Sequence, residues 1–130
     1  LTGARLSEIL TLKWSFVDLE RGFLALPDSK TGNKVIQLSG PAIRLLTTLP
    51  RVKGNPFVIV GREDESCLVN LQKPWRRIRK LAGLEEVRIH DLRHSFASVA
   101  AVTGGASLSM IGKLLGHTQP QTTARYTHLA

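Results

Sequence analysis

The chain has 130 residues, enough for one domain with a hydrophobic core, and its hydrophobic fraction of 42% argues against disorder. Its 18 lysines and arginines exceed its 10 aspartates and glutamates, and the formal net charge of +8 favours a polyanionic partner, nucleic acid before an anionic membrane. The single cysteine excludes an internal disulfide, and no apolar run approaches the roughly 18 residues of a membrane helix, so we expect a cytoplasmic protein.

Residues 1–38 predict a short helix followed by a β-hairpin. One face of the helix is apolar and comprises Leu6, Ile9, Leu10 and Trp14. Arg5 stands at the start of this helix. Residues 23–26 and 35–38 are typical of strands, and the turn-forming segment 27–33 between them predicts the hairpin. Lys30 would then lie at the exposed tip.

Two further helices are predicted in the middle of the chain. Pro41 in the first turn and Pro50 after the last delimit a helix over residues 40–49. Residues 57–60 are compatible with a short strand. Residues 74–81 predict a helix that Gly83 ends, with an apolar inward face and a basic outward face. The inward face comprises Trp75, Ile78 and Ala82, and the outward face comprises Arg76, Arg77, Arg79 and Lys80.

The last third of the chain predicts three more helices. Apolar residues repeat at helical spacing after Asp91, and two glycines at 104 and 105 end this helix. Its inward face comprises Leu92, Phe96, Val99, Ala100 and Thr103. Ser107 is typical of an N-cap for a helix over 108–115, and residues 120–129 predict a final helix that carries Tyr126. The total is an α+β fold, mostly helical with a small antiparallel β-sheet.

Residues near both ends of the chain suit attack on a phosphodiester. Arg5 and Arg93 stay charged at any working pH, and a guanidinium fork matches two phosphate oxygens. His90 and His117 can exchange a proton near neutral pH, and Tyr126 supplies an oxygen nucleophile. Since His90 and Arg93 are three residues apart at a helix start, both can project to one side, where free N–H groups favour an anion.

Several of these residues have a simpler explanation when they are taken alone. His90 fits a capping turn, and Lys30 fits an exposed turn lysine, although a hairpin lysine could also protonate a leaving oxygen. His90 and His94 have the spacing of a helical zinc site, but no glutamate follows His90 and Arg93 would place a cation beside the metal. The basic face around Trp75 contacts either solvent or DNA backbone, and we favour DNA.

Taken together and in this order, the motifs resemble the tyrosine recombinase (phage integrase) family over almost the whole chain. The matching segments are Thr2-Gly3-Ala4-Arg5-Leu6-Ser7-Glu8, Ser29-Lys30-Thr31-Gly32, His90-Asp91-Leu92-Arg93-His94, Leu115-Gly116-His117 and Tyr126. The resemblance implies the integrase-like DNA breaking-rejoining fold. It also implies a catalytic set of Arg5, Lys30, His90, Arg93, His117 and Tyr126.

The resemblance implies a site-specific DNA recombinase that uses no metal, ATP or other cofactor. Tyr126 would attack the scissile phosphate and leave a 3′-phosphotyrosine and a free 5′-hydroxyl. The other roles would be charge stabilisation by Arg5, Arg93 and His117, protonation of the 5′-oxygen by Lys30, and assistance at the nucleophile by His90. The expected partners are double-stranded DNA and, in the full-length protein, other recombinase subunits in a tetrameric synapse.

Against the family pattern, residues 1–130 are expected to be a fragment of the catalytic domain. The N-terminal DNA-clamping domain, the start of the catalytic domain and the C-terminal tail would be absent. Two alternatives stay open, a type IB topoisomerase with similar chemistry and a non-catalytic DNA-binding module with the same fold. The histidine–arginine box favours the recombinase, and Tyr126 argues against a binding module, which needs no phenol.

Overall fold

The structure, a computed structural model, describes residues 1–29, 32–103 and 107–115. Within these residues the chain forms five α-helices and one three-stranded antiparallel sheet. The α+β prediction is therefore confirmed. None of the helices in these ranges is long and apolar enough to cross a membrane.

The sheet is formed by β1 (Val17–Asp18), β2 (Phe23–Ser29) and β3 (Gly32–Gln37), in the order β1-β2-β3. The predicted hairpin is confirmed, since Leu24 pairs with Ile36 and Ser29 pairs with Gly32. Both strands extend further toward the tip than predicted. The two strands include part of the segment with turn-forming composition, in which Ser29 pairs with Gly32. A register irregularity between Leu26 and Ser29 accommodates Pro27, which has no N–H to donate.

Helix α1 (Leu6–Leu10) ends earlier than predicted, and Trp14 belongs to a separate 3₁₀ turn, Trp14–Phe16. The helix stops because the following backbone pairs with a distant segment. Val58 N donates to the carbonyl of Leu12 at 2.9 Å, and Trp14 N donates to the carbonyl of Pro56 at 2.9 Å. The short strand considered over 57–60 does not form, because this segment makes only two isolated bridges, Lys13 with Phe57 and Val60 with Cys67.

Helices α2 (Gly40–Thr48) and α3 (Gln72–Leu81) match their predicted positions. In α2 the Ser39 hydroxyl accepts from Ala42 N and Pro41 lies in the first turn. The inward face predicted for α3 is wrong for Ile78 and Ala82, which are exposed. Of these three predicted inward residues only Trp75 is half-buried. Its indole Nε1 donates to the carbonyl of Val87 at 3.0 Å and thereby docks the helix.

Helices α4 (Ile89–Thr103) and α5 (Leu108–Leu115) pack against each other, and Ser107 caps α5 as predicted, since its Oγ accepts from Met110 N. The buried face of α4 differs from the prediction. Leu92 and Val99 are more than half exposed, and Thr103 is also exposed. The buried residues are Arg93, Ala97 and Ala101. The predicted helix over 120–129 lies outside the described residues.

The hydrophobic core consists of two clusters of buried residues. The first lies between the sheet and the N-terminal segment and comprises Leu12, Leu24, Leu26, Ile36 and Val58. The second joins α4 to α5 and comprises Ala97, Ala101, Ile111 and Leu115, with Phe96 packed against it. Two alanines on α4 allow Ile111 and Leu115 to approach closely enough to exclude water, which explains why the small side chains form the buried face.

Candidate active site

The carboxylate of Glu8 on α1 is the centre of a buried cluster of charged residues. Its Oε1 accepts from the backbone N–H of Arg5 at 2.8 Å and lies 3.9 Å from Arg5 Nη1. Arg5 is the residue immediately before α1, as the sequence predicts. The Glu8 carboxylate therefore caps the N-terminus of α1 and also forms an ion pair with the side chain of Arg5.

Arg93 reaches the same carboxylate from α4. Its side chain is 7% exposed, and Nη1 lies 3.9 Å from Glu8 Oε1. Nη2 donates to the main-chain carbonyl of Leu115, the last residue of α5. Two arginines that are far apart in sequence thus converge on one oxygen atom. A buried guanidinium requires such partners, because an uncompensated charge in the interior costs several kcal/mol.

A third cation, Lys34 on β3, enters the cluster from the sheet. Its Nζ lies 3.1 Å and 3.2 Å from the two carboxylate oxygens of Glu8 and 3.4 Å from the carbonyl oxygen of Leu115. Burial lowers the pKa of the Lys34 ammonium below 10.5; Glu8 opposes this effect, and Arg93 and Arg5 add to it. Among the described residues the cluster holds three cations around one carboxylate, so it is net positive.

Close packing of Gly3 against Phe96 brings the segment before α1 onto α4. A Cβ atom at Gly3 would lie 2.4 Å from Phe96 Cδ1, and the backbone φ of Gly3 is +69°. Both the contact and the left-handed conformation require glycine. This glycine is part of the segment that leads to Arg5, so its packing helps to set the distance between the two arginines.

His90 lies in the first turn of α4 and is exposed. Its ring meets that of His94 edge to face, with centroids 4.7 Å apart. His90 and Arg93 line one cavity of about 410 Å³ together with residues of the segment before α1. The structure therefore brings together, in one cavity, the histidine and the arginine that the sequence pairs.

The start of α4 is fixed by Asp91, which has the capping role considered for this turn. Asp91 Oδ2 accepts from the backbone N–H of Arg88 at 2.8 Å, and Oδ1 accepts from Arg88 Nη2 at 3.1 Å. These two hydrogen bonds, the backbone one first, hold the pKa of the Asp91 carboxyl below its usual value of 3.8. The capping turn at Asp91 is thus compatible with the catalytic role inferred for His90 from the sequence.

The model of the phage integrase family matches residues 1–130. The chain belongs to this family. Tyrosine recombinase XerC of Chlorobaculum parvum is 32% identical over 141 residues, which cover 98% of this chain and 42% of that protein. The crystal structure of XerA recombinase superposes with a TM-score of 0.79 and 28% identity, covering 99% of this chain and 49% of that one.

A third similar protein is XerH site-specific recombinase, whose structure bound to palindromic difH substrate is described as a post-cleavage complex. It gives a TM-score of 0.76 and 30% identity, and the match covers 98% of this chain and 39% of that one. The chain thus spans less than half the length of each of these three relatives.

Three residues of the catalytic set inferred for this phage integrase family member lie outside the described residues. They are Lys30, His117 and Tyr126. The two strands of the hairpin are described up to Ser29 and from Gly32. Leu115, which precedes the Gly116-His117 motif, accepts from both Arg93 and Lys34.

The predicted basic patch on α3 is exposed at Arg76, Arg77 and Lys80. Arg79 differs, because it is half-buried and its Nη1 donates to the carbonyl of Val87 at 3.3 Å. The guanidinium of Arg79 therefore shares an acceptor with the indole of Trp75 and helps to dock α3. The other three side chains remain available for a contact with DNA, and that contact stays a prediction.

Sequence reasoning missed Glu8 and Lys34 as members of the charged cluster at the candidate site. Glu8 is part of the first motif, three residues after Arg5, but its partners come from β3 and α4. Lys34 and Ile36 are two residues apart on β3, and both lie on its buried face. This period of two is the one sequence signal that places the Lys34 ammonium in the interior. No group of three or more potential metal-ligating side chains occurs within the ranges that the structure describes.

Proposed function

We propose that the protein is a site-specific DNA recombinase that breaks and rejoins DNA strands through a 3′-phosphotyrosine intermediate, without metal or ATP. The observation that carries the proposal is the convergence of Arg5 and Arg93 on Glu8. A shared carboxylate lies 3.9 Å from each of the two guanidinium groups, and Arg93 also lines the cavity that His90 lines. Such an arrangement of fixed cations suits a phosphodiester whose negative charge increases in the transition state.

The polar atoms of Arg5 support a phosphate at this position. Arg5 Nη1 is buried and has no hydrogen-bond partner within the described part of the chain. The side chain is 23% exposed, so the guanidinium is also accessible from the surface. A buried N–H donor without an acceptor costs about 1 to 3 kcal/mol, and a phosphate oxygen would remove this cost. The excess of cations over carboxylates in the cluster favours the same ligand.

In the proposed reaction the phenol oxygen of Tyr126 forms a bond to the scissile phosphorus as the bond from phosphorus to the 5′-oxygen breaks. The phenolic proton passes to His90, and Lys30 gives a proton to the departing 5′-oxygen. Arg5, Arg93 and His117 stabilise the non-bridging oxygens. The phosphotyrosine ester retains the energy of the broken bond, so a 5′-hydroxyl can displace the tyrosine and reseal the strand.

The proposed partners are double-stranded DNA and further copies of the recombinase, assembled as a tetramer in the synapse. The net charge of +8 and the exposed arginines on α3 support a DNA partner. The similar XerH protein is described as bound to its difH substrate. Because strand exchange on chromosomal or phage DNA takes place in the cell interior, we propose a cytoplasmic location.

The proposal is tested by trapping the covalent complex with the complete protein that carries this chain. A DNA substrate nicked close to the cleavage site loses a short strand after attack, so the phosphotyrosine cannot be resealed and accumulates. We expect a protein–DNA adduct that survives denaturing electrophoresis and forms equally in EDTA. Binding without any adduct would favour the non-catalytic module, and relaxation of supercoiled DNA without site preference would favour a topoisomerase.

A further inference from the structure

Lys34 occupies a position that strand periodicity reserves for a core side chain. On β3 the residues alternate between exposed and buried, and Lys34 and Ile36 lie on the buried face. The Lys34 side chain is 6% exposed. Removing an ammonium from water is expensive unless hydrogen bonds and an opposite charge compensate it, so a lysine in this place requires a specific set of partners.

The partners of Lys34 are the same two groups that hold Arg93. An ammonium has three N–H donors, and Lys34 Nζ has three oxygens within reach, the two of Glu8 at 3.1 Å and 3.2 Å and the carbonyl of Leu115 at 3.4 Å. Arg93 lies 3.9 Å from Glu8 Oε1 and donates to the carbonyl of Leu115. Lys34 and Arg93 therefore share both a carboxylate and a main-chain carbonyl.

We propose that Lys34 is a positioning residue for the Arg93 guanidinium, acting by fixing the two acceptors that orient it. This inference rests on the proposed function, in which Arg93 binds the scissile phosphate. Lys34 joins three separate elements, since Glu8 belongs to α1, Leu115 ends α5 and Lys34 itself lies on β3. Without the Lys34 ammonium, the Glu8 carboxylate and the carbonyl of Leu115 lose the hydrogen bonds that tie them to the sheet.

The role of Lys34 differs from that of the hairpin lysine, Lys30. Lys34 is buried and its donors are engaged by protein oxygens, so it is not placed to give a proton to a leaving 5′-oxygen. Its effect on cleavage is exerted through Arg93. The substitution of Lys34 should therefore slow strand cleavage and leave DNA affinity nearly unchanged, because most affinity comes from many backbone contacts elsewhere.

The test is a double-mutant cycle in the complete protein, with single-turnover cleavage of the nicked substrate as the readout. Lys34→Met removes the charge but keeps an unbranched side chain, and it should slow cleavage by roughly 10- to 100-fold, the scale of a small displacement of a reacting group. In an Arg93→Lys background the same substitution should have little further effect, because the fork that Lys34 orients is already absent. Lys113→Met, on the exposed side of α5, is the matched control and should have no effect.

A second measurement does not depend on cleavage. Exchange of the Arg93 guanidinium protons, followed by NMR, should be faster in Lys34→Met than in the wild type and unchanged in Lys113→Met. Should the methionine variant fail to fold, Lys34→Gln, which removes the charge but retains an NH2 donor group, serves for both measurements. Multiplicative effects of Lys34→Met and Arg93→Lys on the rate, or exchange that does not respond, would overturn the inference. Responsive exchange in a protein that forms no adduct would instead contradict the proposed function and leave the positioning role standing.

Discussion

Gly3 packs so closely on Phe96 that a Cβ atom would lie 2.4 Å from Cδ1 of the phenyl ring. This contact couples the segment that leads to Arg5 with the helix that carries Arg93. An alanine here would meet both the ring and an unfavourable φ of +69°. We therefore expect a single methyl group at position 3 to disturb the geometry of the arginine pair, although its nearest neighbour is Phe96.

We expect Gly3→Ala to lower the free energy of unfolding by about 2 to 4 kcal/mol, from left-handed strain and overpacking together. Chemical denaturation measures this change. Gly54→Ala is the matched control, because Gly54 has a φ of +82° but no atom within 4 Å of its added Cβ. Its free energy of unfolding should fall by only about 1 kcal/mol, the cost of the left-handed strain alone. Equal losses in the two variants would mean that the contact with Phe96 does not matter.

Replacing either arginine of the pair by lysine should damage cleavage although the charge is kept. An ammonium cannot form the two-point contact that a guanidinium makes with a phosphate. Arg93→Lys and Arg5→Lys should each lose about 2 to 4 kcal/mol of transition-state stabilisation, measured as single-turnover cleavage of the nicked substrate. Arg44→Lys on α2 provides an exposed control. Rates near that of the wild type would indicate that the arginines attract DNA only by their charge.

The Asp91 cap should make stability depend on pH in the acid range. Its pKa is lowered in the folded chain by hydrogen bonds from Arg88, so its contribution is present above the unfolded value of 3.8 and is lost as the pH falls through the lower folded value. The difference in unfolding free energy between wild type and Asp91→Asn should therefore shrink over this interval. Asp64→Asn, in an exposed loop, is the control. A difference that is constant with pH would contradict the capping role.

The local patterns of the sequence predicted where most elements lie, but they did not predict which faces are buried. Pro41 and Ser107 mark helix starts by interactions within a few residues, and such signals can be read directly. The prediction of the buried face of α4 was wrong. Hydrophobicity alone would bury Leu92 and Val99, whereas the helix buries Arg93 near the Glu8 carboxylate. That choice depends on a partner from another element.

In the candidate site, too, the residues of short local motifs could be predicted, whereas contacts between distant elements could not. Arg5, His90 and Arg93 could be inferred from short motifs with a chemical rationale. The structure brings Arg93 to the same carboxylate as Arg5 and to the same cavity as His90. Glu8 and Lys34 could not be inferred as partners, because their contact joins α1 to β3 across the fold. Nothing in the composition of either segment indicates that a carboxylate and an ammonium meet in the interior.

On the basic face of α3, we expect the exposed Arg77 to contribute to DNA binding and the half-buried Arg79 to contribute to stability. Arg77→Ala should leave stability unchanged and reduce the slope of log affinity against log salt by about 0.9, the value for one phosphate contact. Arg79→Ala should instead lower the free energy of unfolding by about 1 kcal/mol, because its hydrogen bond to Val87 is lost. DNA binding at several salt concentrations and denaturation measure the two effects. An unchanged slope in Arg77→Ala would show that the face is only solvated.

The central claim is that Tyr126 becomes covalently joined to DNA, and the most direct measurement is to identify the amino acid in the trapped adduct. After digestion with protease and nuclease, mass spectrometry should find the nucleotide on the peptide that contains Tyr126, the only tyrosine in the chain. Tyr126→Phe removes one oxygen atom, so this variant should bind DNA with nearly unchanged affinity and form no adduct. A nucleotide on any other residue of the protein, or an adduct that persists in Tyr126→Phe, would contradict the account.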